Sequence, residues 1–390
     1  MSGTRYILVG SLIDGSGANV RRNVFLTVKE SVITDIAPIA ELPQNKTTAI
    51  DDLSHCTIVP ALVDCSVSLS RSPSMDTKTR SSSQEANFAQ KAVIFKQHIH
   101  HYLAHGVLGI ADNDDINDLL DNFNNDKARG CIIDIRLPKR AGKNSDESLL
   151  GDNPDGDFLR IDYSNDIDEQ ESPAPNLCHE DLCNILKHRG ERKAVVKANG
   201  RQQVEEALVA GCDAIEQGYA MGEDNLRKIA ENDVLWIPSA LRAKNSLDSS
   251  TSGGSVCCRF SQRYIAPGKP LPGAEAHWKK MLNGQLTQLR LARKLGVKTA
   301  IGTGAGNIGI IHGESVVEEM KLFIKAGYSL EETIQCASAN GARFFGMGNL
   351  GTITVGQKAN FLITRGTVHQ LPRKLSYLEG IYIDGEPSTS

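Results

Sequence analysis

The chain has 390 residues, 40% of them hydrophobic and 23% charged, with a formal net charge of −4. That length exceeds one small domain and suits a large α/β barrel with a smaller module, at an ordinary globular charge content. The slight acidity excludes a global pull toward nucleic acid or an anionic membrane. No stretch approaches the ~20 apolar residues of a membrane helix. The opening MSGTRYILVGSLIDGSG lacks the basic and apolar regions of a secretory signal, so a cytoplasmic location is expected. The nine cysteines include no C-x-x-C pair, and free thiols are expected, Cys257 and Cys258 among them.

In chain order, residues 5–17 (RYILVGSLIDGSG) read as a strand and a Gly-rich turn. Residues 23–39 (NVFLTVKESVITDIAPI) read as two strands joined by a tight turn. The C-terminal stretches 351–364 (GTITVGQKANFLIT) and 380–386 (GIYIDGE) have the same texture. One small β-sandwich built from residues 1–56 and 348–390 is therefore expected around a barrel at 57–347. Within that middle, eight short apolar runs recur: TIVPALVD (57–64), GVLGIAD (106–112), GCIIDIR (130–136), FLRIDY (158–163), KAVVKANG (193–200), DAIEQG (213–218), VLWIPSA (234–240) and VKTAIGTG (297–304). Amphipathic stretches such as 84–105, 202–210, 223–231, 274–295 and 314–326 lie between several of them. Eight βα units predict a (β/α)8 TIM barrel with its site at the C-terminal ends of the strands. The stretches 70–83 (SRSPSMDTKTRSSS) and 245–258 (NSLDSSTSGGSVCC) are expected as loops on that face.

Four motifs then occur in an order that resembles the amidohydrolase superfamily, most nearly its imidazolonepropionase-like and prolidase-like branch. They are LIDGSG (12–17), VPALVD (59–64), VKANGRQQVEEALVAGCDAIEQGYAM (196–221) and NGARFFGMGNLGTITVGQKANFLI (340–363). The resemblance implies hydrolysis of carbon–nitrogen bonds by one or two divalent metals. Its ligands are an H-x-H pair on strand one, a Lys on strand four, His on strands five and six, and an Asp on strand eight. The metal would make hydroxide available near neutral pH. Carried over position by position, the pair falls on Ser66 and Ser68, the Lys on Arg160, the two His on Lys197 and Gln217, and the Asp on Gly304. These are poor metal ligands, and a guanidinium has no lone pair to give. No metal and no other cofactor is expected.

Strand alternation points Ser66 and Ser68 into the barrel mouth and Cys65 and Val67 outward. Lys197 and Gln217 should face the serines. Two buried cations, Arg160 and Lys197, each need an anion. The sources are internal, Asp162 or Asp112, or a ligand bearing carboxylate or phosphate. The pattern GAGNIG (304–309) offers a weak further phosphate signal. Ser66 or Ser68 beside Lys197 would be a nucleophile–base pair if burial and Arg160 depress the lysine. Tyr219 stands where the branch often has a pocket tyrosine, and His312 is expected at the rim. His98, His100, His101 and His105 are expected as helix surface or packing residues, and residues 112–126 (DNDDINDLLDNFNND) as a solvated helix start. Three functions remain open: a metal-free pseudoenzyme binding an anionic small molecule or a partner, a Ser/Lys hydrolase, and an oligomeric scaffold.

Overall fold

The computed structural model describes residues 3–43, 49–74, 77–114, 116–125, 133–141, 156–167, 177–250 and 272–388. Its N-terminal strands are β1 (Arg5–Leu12), β2 (Arg21–Lys29), β3 (Val32–Pro38) and β4 (Ala49–Pro60). The barrel follows with β5 (Leu62–Val67), β6 (Val107–Asp112), β7 (Asp134–Arg136), β8 (Pro138–Ala141), β9 (Phe158–Asp162), β10 (Ala194–Ala198), β11 (Ala214–Gln217) and β12 (Leu235–Ile237). The chain ends in β13 (Phe361–Arg365), β14 (Gly380–Ile383) and β15 (Glu386–Ser388).

Both termini share one sheet in the order β15-β14-β13-β4-β1-β2-β3. It curls over, because Ile33 N–H donates to Gln357 O and Gly356 N–H to Ile33 O at 2.8 Å each. The far edge thereby returns to the segment that leads into β13. One core lies inside, with Ile7, Val9, Leu26, Ile33, Ile58, Phe361 and Tyr382. This is the small β module read from the Gly-split strands at both ends. β4 passes directly from it into the barrel.

The barrel strands pair in parallel, β5 with β6, β6 with β7, and β8 through β12 in succession. β5, β6 and β10 are buried along their whole length, as parallel strands covered on both faces must be. The third expected strand, 130–136, ends as β7, which pairs with β6; beyond Leu137 the chain continues as β8, which the expectation did not include and which pairs with β9. Residues 130–132 of that run lie outside the described residues.

The eighth expected strand is not a regular strand, yet it closes the ring. Trp236 N–H donates to Lys298 O at 2.9 Å and Ala300 N–H to Trp236 O at 2.9 Å. On the other side Cys65 N–H donates to Ile301 O, Gly304 N–H to Ser66 O and Ser68 N–H to Ala305 O, each at 2.8 Å. Two glycines interrupt the extended backbone. A Cβ on Gly302 would come within 2.4 Å of Ile237 Cγ2, and Gly304 sits at φ +71°.

Below the strands an apolar plug fills the barrel. Val63, Ala111, Phe158, Val195, Ala214 and Leu235 pack on Ala342, Phe345 and Met347, with Phe158 edge-on to Phe345 at 4.9 Å.

The first expected loop differs, since residues Thr77–Gln84 form a helix. Its polar sequence carries no apolar periodicity to announce one. The second begins inside the helix Ala240–Ser250, and Cys257 and Cys258 lie outside the described residues. Among the described residues no helix is long and apolar enough to cross a membrane.

Candidate functional site

β5 does not alternate simply. Asp64 is in register with Ile110 but Val67 with Asp112, so β5 carries one extra residue, a bulge. As a result Cys65 joins the inner cluster with Val63 and Phe158, while Val67 packs with the helix-facing core. The expectation that both point outward is corrected for Cys65. Ser66 still reaches the centre. Its hydroxyl donates to Glu216 Oε1 at 2.5 Å and accepts from Asn113 Nδ2 at 3.0 Å.

Glu216 begins a line of ion pairs across the mouth. Its other oxygen holds the Arg160 guanidinium. Arg160 Nη2 is 3.3 Å from Asp162 Oδ1, and the same oxygen is 3.3 Å from Lys197 Nζ. Lys197 Nζ is also 3.2 Å from Asp166 Oδ1, and Asp166 Oδ2 is 3.3 Å from Arg242 Nη2. Signs alternate along the whole line. The two cations read from the sequence are therefore paired internally, through Asp162 as one expectation had it. Asp112, the other expected partner, is occupied elsewhere: it accepts from Leu69 N–H at 2.9 Å and from Asp114 N–H at 2.7 Å.

The register explains which residues meet. Lys197 lies beside Asp162 on β9 and beside Glu216 on β11, so all three side chains share the inner face. Gln217 follows at φ +67°, which breaks the alternation and turns its amide to the rim. There Gln217 Nε2 donates to Asp166, and Gln217 Oε1 accepts from Asn199 Nδ2 at 2.8 Å. Glu216, not Gln217, thus makes the contact across to Ser66.

Burial and charge compete along the line. Burial works to raise Asp162, but Arg160, Lys197 and Arg140 outweigh it and hold the carboxyl below its usual range. Burial likewise opposes ionisation of Asp166, and Arg242 and Lys197 hold it well below that range. Desolvation would lower Arg160, but Glu216 and Asp162 raise it instead. Three nearby carboxyls with no such partner go the other way. Burial pushes Asp64 up to about 6, Glu319 to about 8, and Asp112 to about 8, the last helped by the charge of Asp114.

The remaining expected site residues take other places. Gly304 keeps a backbone role; Arg242 covers it, its Cδ 3.3 Å from where a Cβ would stand. The loop Gly304–Gly309 spends its amides internally: Gly306 N–H on Ile310 O, Asn307 N–H on Gly304 O, Gly309 N–H on Pro73 O. These amides are therefore not presented together as a phosphate cradle would need. Ser68 contributes its carbonyl, 3.0 Å from His312 Nε2. His312 is fully buried and stacks on His98 at 3.7 Å. Burial pushes His98 down to about 4 and His312 well below its usual value, so the pair is neutral. The Tyr219 hydroxyl donates to Ser239 O at 2.8 Å beneath the helix Ala240–Ser250. The Ser66 and Lys197 side chains each have other partners, and the structure does not pair them.

Sequence reasoning missed Glu216, Asp166 and Arg242. Glu216 had one signal, an acid inside a four-residue strand otherwise apolar up to its end. Asp166 and Arg242 lie beyond strand ends, and nothing in their neighbours marks them.

Among the described residues no group of three or more His, Cys, Asp or Glu is arranged to hold a metal ion. Nearly the whole chain superposes on several solved structures. One is a Xaa-Pro dipeptidase with bound methionine in the active site, 19% identical, covering 100% of both chains at a TM-score of 0.77. Another is A. niger ochratoxinase, 15% identical, covering 99% of this chain and 95% of that one at 0.78. A third is molinate hydrolase, 14% identical, covering 99% and 95% at 0.74. At such identities the likeness establishes the barrel with its β-sandwich and nothing more. No curated protein matches the sequence. The model of the amidohydrolase family, however, matches residues 186–385, just over half of the chain, and the chain belongs to that family.

Proposed function

We propose that this chain is an amidohydrolase-family member without the family's metal-assisted hydrolysis, a pseudoenzyme that binds rather than cleaves. The observation that carries this reading is the alternating line Glu216–Arg160–Asp162–Lys197–Asp166–Arg242, which fills the mouth where the resemblance expects divalent ions. The positions carried over from that resemblance do not fit a metal. Arg160 has no lone pair, the Lys197 ammonium is held between two carboxylates, and Gln217 and Gly304 are tied to rim and backbone. A divalent ion there would add charge beside Arg160 and Lys197 and would have to compete with them for Asp162.

A Ser/Lys hydrolase draws less support. The Ser66 hydroxyl rests on Glu216, itself paired with Arg160, and Lys197 lies between acids. An oligomeric scaffold has no specific observation in its favour.

The test is metal analysis with an amide-hydrolysis assay on the purified full chain. Suitable substrates come from the structural neighbours, a Xaa-Pro dipeptide and ochratoxin. Substoichiometric zinc after growth in added zinc, and no turnover with or without chelator, are expected. A full equivalent of zinc together with chelator-sensitive turnover sinks the reading. Chelator-resistant turnover abolished in Lys197→Ala would install the Ser/Lys alternative.

A further inference from the structure

With Arg160 and Lys197 committed inside, the cations open to a ligand lie farther out. Arg71 follows β5, Asp114 follows the neighbouring β6, and Arg140 lies near the end of β8, which comes straight after β7, the strand paired with β6. Asp114 Oδ1 is 3.0 Å from Arg71 Nη2 and 3.7 Å from Arg140 Nη2. Two guanidinium groups thus converge on one carboxylate oxygen. Arg140 Nη2 also lies 3.2 Å from Asp162 Oδ2, but Asp162 already serves Arg160 and Lys197. Among the described residues Asp114 is the one acid paired with Arg71. Asp112, two residues before it, forms neither ion pair; burial and the charge of Asp114 raise its carboxyl above the usual range.

Exposure separates this pair from the inner line. The side chains of Arg71 and Arg140 are 42% and 46% exposed, against 5% for Arg160. Each can turn part of its fork to solvent while keeping its acid. The pair is also anchored. Arg140 Nε donates to Asn113 O at 3.1 Å, and Arg71 Cβ lies 3.3 Å from the Cβ position of Gly306 in the eighth loop.

We propose that the barrel mouth binds an oxyanion, a carboxylate or phosphate group of a small molecule, between the guanidinium groups of Arg71 and Arg140. The planar fork of arginine matches both groups in two-point geometry, and two forks facing Asp114, with Asp162 also on Arg140, carry more N–H groups than these pairings use. This rests on the binding reading above and moves the anion from the buried cations to the rim.

The test is calorimetric titration of the full chain at low ionic strength with two probes, N-acetylglycine for a carboxylate and methyl phosphate for a phosphate. Binding of at least one is expected, weakened about tenfold or more in Arg71→Met and in Arg140→Met. Added salt should weaken it as well, and the exposed sandwich variant Arg22→Met should leave it unchanged. The tighter probe names the ligand class. Arg140→Lys, which keeps the charge and loses the fork, guards against a variant that fails to fold. No binding of either probe by the wild type, or equal binding by wild type and both Met variants, overturns the proposal. Zinc content and hydrolysis measured on the same preparation separate the two claims. Metal-free, inactive protein that ignores both probes removes only the rim site, whereas zinc with turnover removes only the non-hydrolytic reading.

Discussion

On the mouth side of β5, Ser66 touches Glu216 and through it a line of buried ions. On the helix side, Asp64 is held by Thr303 N–H at 2.9 Å, Thr303 Oγ at 2.6 Å and the Tyr102 hydroxyl at 3.2 Å, all neutral donors. Asp64 and His312 are fully buried, whereas Asp162 and Asp166 at the mouth are only partly so. The mouth side holds Asp162 and Asp166 ionised; the helix side leaves Asp64 raised and His98 and His312 neutral. The difference lies in the partner as well as the depth. A cation within ion-pair distance outweighs desolvation, whereas two or three dipoles only moderate it.

The largest test of this contrast is removal of one ion. Arg160→Met leaves Glu216 and Asp162 short of a partner at the barrel centre and should destabilise the protein by about 3–5 kcal/mol in urea unfolding. Arg160→Met with Glu216→Leu removes both charges and should recover part of that loss. Simple addition of the two single effects would show that the line is not coupled.

The pH dependence should differ in sign between the two sides. Asp166 ionises more readily when folded, so its contribution is present above the usual carboxylate range and is lost as pH falls through that range and below it. Asp64 has its folded value raised, so its contribution is complete below the usual value of 3.8 and declines as pH rises to about 6. Thermal melts across that range should show Asp166→Asn flattening the acid limb and Asp64→Asn flattening the decline above it. The same slopes in wild type and both variants would contradict the assignment.

The smallest expected effect is Tyr102→Phe. It removes one neutral donor from Asp64 and should lower stability by about 0.5–1.5 kcal/mol, with Asp64 titrating higher still. A loss as large as that of Arg160→Met would erase the distinction between dipole and ion.

Much of this was legible in the chain itself. The apolar runs marked the barrel strands because parallel strands are buried on both faces, and the Gly-split strands at both ends marked the β module. Ser66, Arg160 and Lys197 were placed at the mouth by the family resemblance carried over position by position, and Asp162 by standing two residues after Arg160 on the same strand. Three features escaped the pattern for local reasons. The bulge in β5 reversed Cys65, the positive φ of Gln217 passed the central contact to Glu216, and Gly302 with Gly304 kept the eighth strand irregular.

The sequence by itself determined the layers and the closing position of the barrel, because periodicity is a local property, and its resemblance to the family put two cations at the mouth. Only the tertiary structure decided what those cations hold. Glu216, Asp166 and Arg242 come from three separate parts of the chain, and a buried charge takes whichever opposite charge the folded backbone brings within about 4 Å.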